Sequence, residues 1–135
     1  MRVMAQGMFD VLHPGHIYYL QESAELGDEL VVVVGRDSTA HNQPLLMGEE
    51  TRLELVEALE MVDEARLGAE DDMFAEVAAL DPDIITIGHD QPFDEDELVT
   101  MLAGRGLEDV EVVRIGRYEG PVDSSSQIRA RIAEL

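Results

Sequence analysis

The sequence predicts an α/β fold: a doubly wound, Rossmann-like parallel sheet of five strands with helices on both faces. Continuous apolar runs at Leu30–Val34 and Ile84–Ile87 each close on a glycine, Gly35 and Gly88, as strands buried on both faces do. Between such runs the apolar spacing lengthens to the period of a helix. The two patterns alternate along 135 residues, which makes residues 1–135 one domain able to bury roughly two thirds of its unfolded surface.

Taken in order, the first strand opens at Val3 and ends at Gly7, and a helix follows in which Ile17, Leu20 and Ala24 share a face. Leu30–Val34 is the second strand, and Leu55, Val56 and Leu59 mark the second helix. A weaker strand is expected over Glu64–Leu67, then a helix with Phe74, Val77 and Ala78 on one side. Ile84–Ile87 leads to a helix faced by Leu98, Met101 and Leu102. In Val110–Ile115 apolar positions interleave with Glu111 and Arg114, the pattern of an edge strand. The last helix is expected to turn Ile128, Ile132 and Leu135 to one side. Right-handed crossovers then distribute the helices over both faces.

Charge narrows the function classes. Nine arginines and no lysine stand against 30 acidic residues, a formal net charge of −21. The carboxylates are spread along the chain and form no acidic tail, which points to adaptation to a salty cytosol, where screening relieves self-repulsion. Nucleic acid is not an expected partner, because binding it needs a basic face. No apolar run reaches the ~18 residues of a membrane span. A strand beginning at Val3 leaves no room for a leader, so a cytoplasmic location is expected. Without cysteine, thiolate metal sites and thiol nucleophiles are excluded.

In open parallel sheets the ligand lies beyond the carboxyl ends of the strands, where strand order reverses. The segments expected at that edge carry most of the polar candidates: Gly7 to His16, then Arg36-Asp37, then Gly88-His89-Asp90-Gln91, and Arg117 followed by Ser124-Ser125-Ser126 and Arg129. His13-Pro14-Gly15-His16 is the sharpest of them. Pro14 pre-sets a first helical turn, Gly15 admits a ligand to the backbone, and the helix start offers N–H groups and a positive dipole end to an anion. Two imidazoles three residues apart project to one side and can donate to phosphate oxygens as charge develops.

The pattern Gly7-x-Phe9-Asp10-x-x-His13-x-Gly15-His16 resembles the signature of the cytidylyltransferase-like nucleotidyltransferases, and Ser124-Ser125-Ser126-Gln127-Ile128-Arg129 is similar to their second motif. The resemblance covers the chain and implies a single nucleotidyltransferase domain. Within that superfamily, Val62–Gly68 and Gly88–Gln91 look most like the archaeal FAD synthases, and Arg117–Gly120 is also similar to glycerol-3-phosphate cytidylyltransferases. The first likeness implies transfer of AMP from ATP to FMN, with Mg²⁺ carried by the triphosphate, no metal held by the protein alone, and a homodimer as the assembly. His13, His16 and Arg129 would then serve the triphosphate, Gly7, Met8, Phe9, Gly15, Asp37, Ser124, Ser125 and Ser126 would line its site, and Gly88, His89, Asp90, Gln91 and Arg117 would lie by the nucleotide.

Several positions keep two readings. Asp10 either caps its loop or touches metal; Arg52 either approaches the nucleotide or is an exposed helical arginine paired to Glu49; the serines either bind phosphate or cap a helix. Met8 stands where the family usually has a small hydroxyl residue, and His41-Asn42-Gln43-Pro44 lacks the lysine usual in that loop, a role that Arg36 or His41 could fill. A cytidylyltransferase acting on glycerol 3-phosphate and a non-catalytic nucleotide-binding relative are the alternatives.

Overall fold

The computed structural model describes residues 1–39, 44–70, 72, 74–122 and 124–135, so His41, Asn42 and Gln43 of the lysine-free loop lie outside the described residues. In chain order the elements are β1 (Arg2–Gly7), α1 (Pro14–Ala24), β2 (Glu29–Val34), α2 (Glu49–Glu57), β3 (Glu64–Leu67), α3 (Ala75–Leu80), β4 (Ile84–Ile87), α4 (Glu95–Ala103), β5 (Glu111–Arg114) and α5 (Ser125–Glu134), with one 3₁₀ turn at Asp37–Thr39. The five strands pair in the order β3-β2-β1-β4-β5, and every pairing is parallel. The order reverses at β1, between β1 and β4.

The two-residue side-chain period of the strands divides the core. Leu30, Val32 and Val34 of β2 join Val3, Ala5, Leu20 and Val56 on the face covered by α1 and α2. Val31 and Val33 join Met4, Ile85, Ile87, Val77, Leu98 and Leu102 on the face covered by α3 and α4. Fully buried side chains such as Leu20 and Val56 each contribute roughly 1.5–3 kcal/mol.

Three helical faces differ from the sequence expectation. Leu55, Ala78 and Met101 point outward, because Val56, Val77 and Leu102 already fill the core-facing positions of their helices. Ile132 and Leu135 are exposed as well. The sheet faces are covered by the first four helices, and α5 is tied instead to the β1–α1 loop through Arg129 and Asp10.

Candidate nucleotide-binding site

The site begins as a gap in the sheet. β1 and β4 are in register only at Val3↔Ile84 and Met4↔Ile85. Beyond that point the Tyr19 hydroxyl spans the two strands, accepting from Gln6 N at 3.2 Å and donating to Thr86 O at 2.8 Å. Burial pushes this phenol up to about 12, so it stays protonated and able to donate. Ser23 Oγ donates to Tyr19 O and meets Thr86 Oγ1 at 2.8 Å, which completes a polar seam inside the fold. Above it, at the carboxyl ends of the strands, a cleft of about 260 Å³ opens, with Gln6 and Tyr19 in its wall.

His13 is the N-cap of α1, and its Nδ1 accepts from Gly15 N at 3.0 Å. That bond places the proton of the neutral ring on Nε2. His16 stacks on His13 with centroids 3.8 Å apart and meets the edge of Phe9 at 5.2 Å. Burial first and the His13 ring second depress the His16 imidazole to about 4, offset in part by the Val11 carbonyl, while its Nδ1 has no hydrogen-bond partner among the described residues. His16 is therefore neutral at physiological pH. Phe9 is held at a positive φ of 53°, and a Cβ on Gly7 would lie 2.9 Å from its ring, so glycine at position 7 is what admits the buried phenyl group.

One expectation is corrected here. The first N–H groups of α1 are engaged within the turn, Gly15 N by His13 Nδ1 and His16 N by His13 O at 3.0 Å, and Pro14 has none. Anion recognition at this helix start therefore falls to the imidazoles.

Two arginines shape the rim. Arg52 is completely buried and binds backbone carbonyls from three loop segments: Nε to Met47 O (3.1 Å), and Nη1 to both Met8 O (2.8 Å) and Gly35 O (2.7 Å). Its Nη2 donates to Asp37 at 2.7 Å, a bond that draws the Asp37 carboxyl below its usual range. The exposed, Glu49-paired arginine is thus overturned; Glu49 pairs with Arg36 instead. Across the cleft, Arg114 of β5 binds Gly88 O, Gln91 O and Phe93 O and pairs with Glu95 at 2.7 Å. Gly88 N also donates to Gln91 Oε1 at 2.7 Å, which folds the Gly88–Gln91 turn onto itself.

Asp10 is buried and joins three parts of the chain. It accepts from Leu46 N, Met47 N and, at 2.6 Å, Arg129 Nη2. Arg129 Nε is buried without a partner among the described residues. Ser124 caps α5 by accepting from Gln127 N, and Ser125 opens the helix.

Of the residues expected from sequence, Gly7, Met8, Phe9, His13, Gly15 and His16 line the cleft from the first loop. Gly88, His89, Asp90 and Gln91 line it from the second, and Ser124 and Ser126 from the third. Asp10, Asp37, Arg52, Arg117 and Arg129 stand outside that lining: Arg52 and Asp37 brace the loops, Arg117 is exposed, and Arg129 is bound to Asp10. Gln6, Tyr19 and Gly116 are cleft residues that the sequence reading missed, as it missed the bracing role of Arg114, and Tyr118 entered it only through the Arg117–Gly120 likeness. Tyr19 could have been found, since it follows His16 by one helical turn. Arg114 gave no signal beyond its place on an edge strand.

A second cavity of about 540 Å³ adjoins the cleft, and Gln6, Gly7, Met8 and Gln91 belong to both. Gly35 and Gly68, just past the ends of β2 and β3, line it, and Met4, Val33, Ala69 and Phe93 give it apolar walls. Arg36, Glu70 and Glu76 supply charge. The Arg36 guanidinium is anchored to Gly68 O at 2.8 Å and to Glu49.

The stacked His13–His16 pair thus lines a cleft at the switch point of a doubly wound sheet, where the resemblance to the nucleotidyltransferases implies the triphosphate site. Residues 4–131 match the cytidylyltransferase-like family model, and the chain belongs to that family. It is similar to a protein named FAD synthase from Thermoplasma volcanium, with 53% identity over 99% of this chain and 95% of the relative. A protein of the same name from the haloarchaeon Natronomonas pharaonis is 46% identical over 98% of this chain and 96% of its own. Among solved structures, one titled as the lipopolysaccharide core biosynthesis protein from Thermoplasma volcanium superposes with a TM-score of 0.85 at 53% identity, covering 88% of this chain and 98% of that one. No helix among the described residues is long and apolar enough to cross a membrane.

Proposed function

We propose that this nucleotidyltransferase is an FAD synthase, transferring AMP from ATP to FMN with release of pyrophosphate. Flavin as acceptor is supported most directly by the second cavity: at about 540 Å³, with apolar walls, it suits a broad planar ring. Glycerol 3-phosphate would call for a smaller, more polar slot. The names of relatives near 50% identical over the whole chain agree with this choice.

In the reaction an oxygen of the FMN phosphate forms a bond to the α-phosphorus of ATP, and the bond from that phosphorus to the bridging oxygen of pyrophosphate breaks. The protein supplies position and charge stabilisation, not a nucleophile. His13 offers Nε2–H, fixed by the Gly15 N bond to its other nitrogen. His16 acts as a neutral donor. Arg129 exchanges its bond to Asp10 for one to the triphosphate, and its partnerless Nε supports that reassignment. A divalent cation carried by the triphosphate would supply charge neutralisation there; Asp10, already accepting from two backbone N–H groups and an arginine, fits a bracing role better than a metal ligand.

The same reading makes the chain a cytoplasmic enzyme acting on two small molecules, assembled as a homodimer, with neither nucleic acid nor membrane as partner. Pyrophosphate release from four nucleoside triphosphates, each against FMN and glycerol 3-phosphate in Mg²⁺ and molar KCl, tests the assignment. Release with ATP only when FMN is present is expected. Release with CTP and glycerol 3-phosphate, or nucleotide binding without release, overturns it.

A further inference from the structure

We propose that Met8 determines the affinity for the acceptor, a role that rests on FMN occupying the second cavity. Three observations converge on this side chain. Met8 lines both the nucleotide cleft and the second cavity, so it forms part of the partition between them. Its thioether lies over Gly35: a Cβ built there would stand 2.2 Å from Met8 Sδ and 3.3 Å from Cε, and the next atom outside the adjoining residues is Gly7 O at 3.7 Å. A single nitrogen, Arg52 Nη1, then binds the carbonyls of both Met8 and Gly35, fixing the pair as one unit.

The chemistry of the pair suits a flat heteroaromatic ring. A thioether is soft and polarisable and makes favourable contacts with aromatic rings at about 5 Å. Met8 carries no side-chain hydrogen-bond donor and presents an apolar surface to the cavity that also holds Phe93 and Val33. Met8 therefore acts on the ring of the acceptor through apolar and sulfur contacts, which a triphosphate does not use.

The test is a double-mutant cycle on the full-length enzyme, reading KM for FMN and for ATP in molar KCl. Loss of the apolar and sulfur contacts in Met8→Ala is expected to raise KM for FMN by about tenfold, while KM for ATP stays within about twofold. Gly35→Ala alone is expected to raise KM for FMN as well, because its methyl group displaces the sulfur. Gly35 is not among the positive-φ glycines, so the backbone accepts alanine. In the Met8→Ala background Gly35→Ala should add nothing, since the atom it meets is gone. Met8→Leu, which keeps the bulk without sulfur, separates packing from thioether chemistry and should fall between wild type and Met8→Ala. An unchanged KM for FMN in Met8→Ala, a shift confined to KM for ATP, or additive effects of the two substitutions overturns the proposal. Wild-type enzyme that releases no pyrophosphate with FMN instead overturns the FAD synthase reading itself, a distinct result.

Discussion

Arg52 and Arg114 solve the same problem on opposite sides of the cleft, and they differ in burial. Each gathers backbone carbonyls from loops at the strand ends and is completed by one carboxylate, Asp37 or Glu95. Arg52 has no exposed surface, whereas the Arg114 side chain is 28% exposed on the edge strand. A carbonyl that loses its donor in the interior goes unpaired, but one near solvent is taken over by water. The histidine half of the site is thus held by bonds that nothing can replace, and the Gly88–Gln91 half by bonds that solvent can substitute.

The sharpest way to break this comparison is Arg52→Met. It strips donors from Met8, Gly35 and Met47 at once and should cost about 3–5 kcal/mol in urea unfolding, with activity lost as well. A cost no larger than that of Arg114→Met would mean that the two halves are equally replaceable.

Next in size is the histidine pair. His16→Ala should lower turnover by at least ~10²-fold with little change in stability, because it removes a donor to charge that grows only in the transition state. Near-normal turnover would return His16 to packing.

His16 also sets a pH signature. Its folded-state value near 4 lies below the ordinary 6.5, so between those values the unfolded chain binds the proton that the folded chain refuses. Its contribution to stability is thus lost as pH falls from 6.5 toward 4, by up to about 3 kcal/mol. Relative to a His16→Asn variant, the wild type should lose stability across that window; parallel curves would sink the burial argument.

Arg114→Met should cost about 1–2 kcal/mol and show itself more in a raised KM for ATP, since it frees the turn beside the nucleotide cleft. The smallest effect concerns salt. The melting temperature of the wild type should rise from 0.1 to 3 M KCl as the charge of −21 is screened. Across the same range the Arg114→Met penalty should shrink more than that of Arg52→Met, because the more exposed pair is screened first.

Much of this architecture is legible in the sequence. Ile84–Ile87 is bounded to the residue by its sequence, since a β-branched run between polar breaks leaves little choice of register, and the weaker strand expected near Glu64–Leu67 forms there. The His13–His16 turn was legible because proline, glycine and imidazole each act locally. Long-range partners were not legible. Arg52 reads in sequence as either a nucleotide contact or an exposed residue of α2, and only the folded chain brings Met8 O and Gly35 O, 44 and 17 positions away, to its one guanidinium. Asp10 and Arg129, 119 positions apart, are the same case. Periodicity also overstated the apolar face of α5, since it reports spacing and not whether a surface remains to be covered.

The Tyr19 bridge has a mechanical consequence. Two strands that stop pairing are normally free to separate at will, but here their spacing is set by a phenol that belongs to α1, one turn beyond His16. The opening of the crevice and the pose of the imidazoles are therefore geared together as a single degree of freedom. A tilt of the helix toward a bound phosphate must pull on Gln6 N and Thr86 O, and a change in strand spacing must swing the histidines. The amide of Gln6 is the gauge of that lever: its hydrogen exchange reports how often the gear slips.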